Sequence, residues 1–397
     1  MSRGSPLTDS LSKHSETRKT VSGQWRVFSI RGTDISLDAS WLIIFAFVTY
    51  TTATSIIPVR LANESFRTAV AVEASELTLW LAGVVTSVLF FTSILLHEAA
   101  HAVVAIRTGI PVRRIRLFIF GGVAEIESEP SRPGQEFVIT IVGPLTSAAL
   151  GGLFIVLAGN FPAVSIPHVT MTWLGQMNLV LAVFNMLPGF PLDGGRILRS
   201  MVWAFSGNFL RATGIASFIG SALGVALIVY GLAQLFMQAS SVQSVWTLLI
   251  GWLLWSSARG GYKDAKRRER LKGVRVHDVL HSDTGAVPDD GTVEEFMERG
   301  LYHDRSEIRP VVDPVGRLVG VLVMQDIVGI PVERRAYTLL REAARSVDAA
   351  PLIEPNESLE NAFNRAREEG VRRFFVVERD RLVGAVDVLD VLRRARF

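Results

Sequence analysis

Five side chains in two separate stretches of this 397-residue sequence could together carry out metal-assisted hydrolysis. His97-Glu98-Ala99-Ala100-His101 is the first stretch. Helical residues at i and i+4 lie about 40° apart around the axis, so both imidazoles leave one face. That spacing suits two nitrogen ligands of one tetrahedral zinc, and Glu98 beside them is placed to take a proton from a metal-activated water. In a soluble helix the same five residues would more simply form a solvated charged face. Here Leu95-Leu96 precedes them and Ala102-Val103-Val104 follows. Three ionisable groups in so apolar a stretch are costly unless they serve a site.

A catalytic zinc site wants a third protein ligand from another element. The run from Asn185 to Gly195 (NMLPGFPLDGG) offers Asp193. Pro188 and Pro191 break the helix there, and Gly194-Gly195 permits close backbone approach. Broken backbone at membrane depth is tolerated where it is buried or lines a wet cavity. Alone, Asp193 could be only the N-cap of a helix starting near Arg196; beside a two-histidine site it reads as the third ligand. Asn185 could hydrogen-bond the substrate carbonyl or backbone, or be a helix–helix polar contact. Asn178, one heptad earlier, reads as the latter. Glu125 and Glu127 are ligands in principle, but their place on a strand reads as exposure.

The elements that must position these groups are apolar helices. Hydrophobic residues make up 49% of the chain and charged ones 20%, with a mean hydropathy of +0.33. The two classes divide: long apolar stretches run to about Trp255, and charge dominates from Arg259 onward. A spanning helix needs about 20 mostly apolar residues, and the chain offers six candidates: 40–58, 77–104, 137–158, 170–202 (interrupted), 213–237 and 242–257. A large soluble helical protein would show more polar faces. Lys13, Arg18, Lys19, Arg26 and Arg31 precede the first span; Arg107, Arg113, Arg114 and Arg116 come after the second; Lys263, Lys266, Arg267, Arg268 and Arg270 come after the sixth. With six spans these fall on one side, as do Arg196, Arg199 and Arg211, against Arg60 and Arg67 opposite. That distribution predicts cytoplasmic termini. The first twenty-odd residues lack an apolar core and read as a cytoplasmic tail, not a cleavable signal. With no cysteine there are no disulfides and no cysteine catalysis, and a net charge of +3 does not suggest nucleic-acid binding.

The two motifs resemble those of the site-2 protease family of intramembrane metalloproteases, in the group with C-terminal CBS domains and no PDZ domain. The matching residues are His97-Glu98-x-x-His101, the run Asn185-x-x-Pro188-x-x-Pro191-Leu192-Asp193-Gly194-Gly195, and Phe120-Gly121-Gly122, which is similar to the family's strand-and-diglycine feature. The resemblance spans nearly the whole chain. It implies Zn2+ held by His97, His101 and Asp193, Glu98 as general base, and a transmembrane protein substrate cut near the cytoplasmic side. A membrane-bound transcription factor, an anti-sigma factor or a signal-peptide remnant would each suit such an enzyme.

Residues 112–126 look like a hairpin beside the site, and 25–30 and 34–37 alternate like strands. An exposed edge there could hold an unwound substrate by main-chain pairing, or the hairpin could merely cover the cavity. Residues 259–273 form a basic linker that could rest on anionic lipid. Beyond it, 317–328 aligns with 381–392 at an offset of 64 residues, too long for common solenoids. Each copy reads helix, strand, turn, strand, helix, and the repeat resembles a CBS pair. Such pairs commonly bind adenine nucleotides, with Asp326 and Asp390 at the ribose positions. Val323 and Asp387 stand where a Ser or Thr is usual, and Asp387 would repel a phosphate. Dimerisation through the module is the other role. His14, His168, His277, His281 and His303 read as surface or loop residues.

The expected architecture is a tail with short strands (1–39), a six-span zinc metalloprotease domain with short membrane-associated β-strands (40–258), the linker, and an α+β cytoplasmic CBS pair (274–397). The expected location is the plasma membrane. The competing class is a CBS-regulated ion transporter or channel whose intramembrane carboxylates line a pathway; it would need neither the paired histidines nor zinc. A relative that has lost catalysis would not need Glu98.

Overall fold

The computed structural model describes residues 24–30, 33–70, 74–118, 121–126, 129–237, 241–299 and 308–387. They fall into two compact units dividing between Ala265 and Lys266.

The first unit opens with β1 (Gln24–Ile30) and β2 (Thr33–Asp38). Asp38 then caps the next helix by accepting from the Ser40 backbone N–H at 3.0 Å. That helix, α1, runs over Ala39–Thr68, ten residues past the expected end at Pro58. A π-helical stretch, Thr52–Ile56, shifts the hydrogen-bond ladder just before the proline. Pro58 then falls in the first turn of the α-helical segment Ile57–Thr68, where its missing N–H costs least. The Ser75 hydroxyl starts α2 (Glu76–Arg107), which carries the histidine motif. Next come β3 (Val112–Phe118), β4 (Gly121–Ile126), α3 (Pro133–Ala158) and α4 (Ile166–Asn185). The interrupted candidate span resolves into α4 and a separate α5 (Asp193–Ser206), which ends at Gly207 in the left-handed conformation. α6 (Phe209–Phe236) and α7 (Ser241–Leu271) complete the series; the basic stretch read as a linker forms the last turns of α7.

Among the described residues, α1, α2, α3 and α6 are long and apolar enough to cross a membrane. Helix contacts use small residues: a Cβ on Gly175 would lie 2.9 Å from the Gly151 carbonyl, and one on Gly251 would lie 2.8 Å from that of Gly224. Backbones can approach this closely only without side chains, as in membrane helix packing generally. The strands form one sheet ordered β1-β2-β3-β4, with β2 and β3 parallel and both outer pairs antiparallel. Ile35, Val112 and Ile115 of that sheet pack with Ala102 and Ala105 of α2 and Ile139 of α3. The sheet is thereby seated at the histidine end of α2.

The second unit repeats one topology. β5 (Val287–Pro288), β6 (Ile308–Val312) and β7 (Leu318–Val323) form one sheet; β8 (Leu352–Ile353), β9 (Arg373–Glu378) and β10 (Arg381–Asp387) form the other. In each, a short first strand pairs parallel with the second and the third closes antiparallel. Backbone bridges Val321–Arg345 and His281–Ala385 connect the copies, and their members are related by the same 64-residue offset. Val321, Phe375 and Ala385 share the core between the sheets.

Candidate metal centre

One turn of α2 separates His97 from His101, and both side chains are turned inward, 3% and 5% exposed. Their Nε2 atoms stand 3.2 Å apart. The Asp193 Oδ2 lies 3.1 Å from the first and 3.3 Å from the second. Among the described residues this is the one cluster of three such donors close enough to hold a metal ion.

The other ring nitrogens are held by α3. The His101 Nδ1 is 2.7 Å from the Ile139 carbonyl oxygen, which can only accept, so that nitrogen carries the proton and Nε2 keeps its lone pair. The His97 Nδ1 is 2.9 Å from the Ser147 hydroxyl; with Nδ1–H donating there, its Nε2 lone pair is also free. Two lone pairs and a carboxylate oxygen then converge within 3.3 Å, an arrangement that calls for a cation. Tetrahedral zinc with bonds of about 2.0–2.1 Å separates its ligands by roughly 3.3 Å, so the donor triangle fits zinc.

Glycines make this approach feasible. A Cβ on Gly143 would fall 2.2 Å from the His101 Nε2 and 2.7 Å from the His97 Nε2, so α3 must be bare there. On β4, a Cβ on Gly122 would fall 2.4 Å from the Glu98 Cγ. The hairpin therefore lies directly against Glu98, the residue between the two histidines.

Asp193 is not an N-cap. Leu192 takes that position without a side-chain bond, and Asp193 opens the first turn of α5 with its carboxylate on the imidazoles. Cβ atoms on Gly194 and Gly195 would collide with the Met186 carbonyl and the Gly189 backbone, at 2.3 and 2.2 Å. The 186–192 loop thus folds tightly onto the start of α5. It is anchored further by Phe190 N–H donating to the Ala216 carbonyl of α6. Asn185 is the last residue of α4, half-buried, immediately before this loop. Asn178 is not the interhelical contact expected: its amide donates to Leu174 O of its own helix at 2.8 Å.

The remaining candidates lie elsewhere. Glu125 is on β4 opposite Arg114. Phe120, Glu127, His14, His303 and Asp390 fall outside the described residues. His277 pairs with Asp278 at 3.0 Å in the second unit. Asp326 lies there too, bound by two nitrogens of the Arg345 guanidinium at 2.6 and 2.9 Å. Gly143, Ser147 and the Ile139 carbonyl were not anticipated. Their local signal was faint: a Gly-Pro step and a serine at four-residue intervals in an otherwise apolar helix.

Comparison with known proteins identifies the family. Residues 85–168 and 160–227 match peptidase family M50, and 276–333 and 347–396 match the CBS domain. The chain is similar to Rip3 from Mycobacterium tuberculosis, 35% identical over 318 residues covering 79% of this chain and 81% of that protein. It is also similar to sll0528 from Synechocystis, 32% identical over 77% of this chain and 78% of the other. Both relatives bear zinc-metalloprotease names. A solved structure, the site-2 protease from Methanocaldococcus jannaschii, matches 60% of this chain and 95% of its own at 27% identity and a TM-score of 0.42. The chain therefore belongs to peptidase family M50, as a site-2-type zinc metalloendopeptidase of the membrane that carries a CBS pair.

Proposed function

We propose that this protease hydrolyses a peptide bond of transmembrane proteins near the cytoplasmic face, with His97, His101 and Asp193 holding its zinc and Glu98 as its general base. The converging donor triangle with Glu98 beside it is the observation that carries the reading. Bound zinc would polarise the scissile carbonyl and make water a nucleophile near neutral pH. The Ile139 carbonyl and the Ser147 hydroxyl hold the imidazoles in the tautomer that leaves both Nε2 lone pairs free. Glu98 accepts the proton of the attacking water and passes it to the leaving amine nitrogen. Asn185, beside the loop that delivers Asp193, hydrogen-bonds the substrate carbonyl or backbone. β4, the edge of the sheet and packed on Glu98, offers main-chain groups to an unwound substrate strand.

In this reading α4 and α7 join the four strongly apolar helices as spans, giving six, with both termini in the cytoplasm of a cell whose plasma membrane holds the enzyme. The asymmetry of lysine and arginine supports that orientation, and the basic end of α7 would rest on anionic lipid. The CBS pair regulates cleavage, by binding an adenine nucleotide through Asp326 and Asp390 or by forming a homodimer. Because Asp326 already holds Arg345, a ribose would have to displace that guanidinium.

The test is zinc-dependent cleavage of a single-span reporter in liposomes, wild type against Glu98→Gln. The variant should keep its zinc and lose activity by about 10²–10⁴-fold, the usual scale of general acid–base catalysis. Equal activity, or a wild type that binds no zinc, would sink the mechanism.

A further inference from the structure

A second group of ionisable side chains is buried at the start of α3, outside the proposed catalytic set. Glu136 is fully buried. Its Oε1 accepts from the Arg199 Nε at 2.8 Å and also touches that residue's Nη2. The Arg196 Nε lies 3.8 Å from the same oxygen. Arg199 is 4% exposed, and its guanidinium is flanked by Phe209 and Phe190, 4.7 and 5.6 Å from the ring centroids. The same Nη2 also reaches Glu129 at 3.4 Å.

The placement of these groups gives the cluster its meaning. On α3, Glu136, Ile139, Gly143 and Ser147 succeed one another at helical spacing along one buried face; the last three touch the imidazoles. On α5, Asp193, Arg196 and Arg199 follow at three-residue steps, each about 60° further round the axis, so Arg199 leaves the helix about 120° from Asp193. The two helices thus meet at two points: at the metal centre, and at Glu136–Arg199. At a 1.5 Å rise per residue, these points are about 9 Å apart along α5 and about 10 Å apart along α3. A single contact would let α5 slide or rotate. Two contacts at matched spacing fix its register, and therefore where the Asp193 carboxylate stands. Phe190, stacked on Arg199, ties the 186–192 loop to the same latch.

We propose that Glu136 and Arg199 are positioning residues that set the axial register of α5 against α3 and so hold Asp193 at the two imidazoles. The idea rests on Asp193 being a ligand, and the experiment separates the two claims. Full-length protein in detergent would be compared as wild type, Arg199→Lys, Arg199→Leu, the double variant Glu136→Leu/Arg199→Leu, and Asp193→Ala. Three quantities would be read: zinc affinity by competition with a chromophoric chelator, the visible spectrum of the cobalt-substituted protein, and thermal stability.

Breaking the pair on one side leaves an uncompensated buried charge, so Arg199→Leu should lose stability. The double variant replaces the pair by apolar groups, which restores stability in many buried pairs. It should nevertheless bind zinc about 10–100-fold more weakly, the scale for losing support behind a metal ligand, and show a shifted cobalt spectrum. Arg199→Lys keeps the charge but loses the planar fork and should fall between. A stable double variant with wild-type zinc affinity and cobalt spectrum would overturn the proposal, leaving the pair only a fold-stabilising one. Wild-type zinc affinity in Asp193→Ala would instead overturn the ligand assignment beneath it.

Discussion

Asp193 in the membrane unit and Asp326 in the CBS unit both read from the sequence as carboxylates awaiting a ligand, yet the structure treats them in opposite ways. Asp193 stands at the start of a helix, largely buried, and faces two imidazole nitrogens whose other sides are already held by Ser147 and Ile139. Every neighbouring group leaves lone pairs pointing at one spot. Asp326 is half-exposed, and both its oxygens are taken by Arg345. The first arrangement presents three donor atoms to one point; the second is satisfied by the chain itself. Preorganised donors of the first kind do not have to rearrange when a cation arrives, whereas the second must break a pair before anything binds.

The largest effect that would break this contrast is on Asp193 itself. Asp193→Ala should abolish stoichiometric zinc and reporter cleavage together, measured by metal analysis after gel filtration. Retained zinc would show that the triangle is a structural hydrogen-bond cluster and would put the two carboxylates on the same footing. Gly143→Ala should come close behind. Its methyl group would overlap both Nε2 positions, and α3 backbone cannot yield without disturbing Ile139 and Ser147. A folded Gly143→Ala protein should therefore lose most of its zinc while its circular dichroism is unchanged.

Ser147→Ala sharpens the comparison by removing only orientation. The His97 ring keeps its place on α2 but loses the partner of its Nδ1, and zinc affinity should drop about 10-fold, the lower end for such supporting hydrogen bonds. Ser147→Thr, which restores a hydroxyl, should recover part of it. No recovery would mean that the hydroxyl served packing alone.

These supporting residues also mark where the sequence stops being legible. The histidine pair, Glu98 and Asp193 were legible because each sits in a local pattern: i, i+4 on an apolar helix, or an acid between helix-breaking prolines and a double glycine. The interruption between α4 and α5 was legible for the same reason. Ser147, Gly143 and Ile139 act on groups about forty to fifty positions away, and nothing local says which helix lies opposite which. The helix ends show the same limit. The first candidate span was bounded at Pro58, but a π-helical stretch just before that proline lets the helix run on to Thr68. In the second unit the offset of 64 was plain from the sequence. The engagement of Asp326 by Arg345 was not, because it joins residues 19 apart that meet only after β7 has paired across to the other copy.

The smallest expected effect concerns that pair. Hydrogen bonds from Arg345 hold the Asp326 carboxyl below its ordinary value of 3.8. A depressed folded value means that the contact is fully present above the unfolded pKa and is lost only as pH falls through the folded one. Asp326 therefore stays ionised and paired at every pH from about 5 upward, and its engagement of a nucleotide should not vary with pH there. If AMP binds through Asp326, Arg345→Ala should tighten it only a few-fold, because an exposed ion pair offers little resistance to displacement. Asp326→Ala should remove binding to that copy. The two copies differ at this point: His281 occupies in the second the place that Arg345 holds in the first. Calorimetric titration of the full-length protein with AMP reads both variants. Weaker binding in Arg345→Ala would reverse the assignment, making the guanidinium part of the nucleotide's own binding surface, and the CBS carboxylate would then be as prepared for its ligand as Asp193 is for zinc.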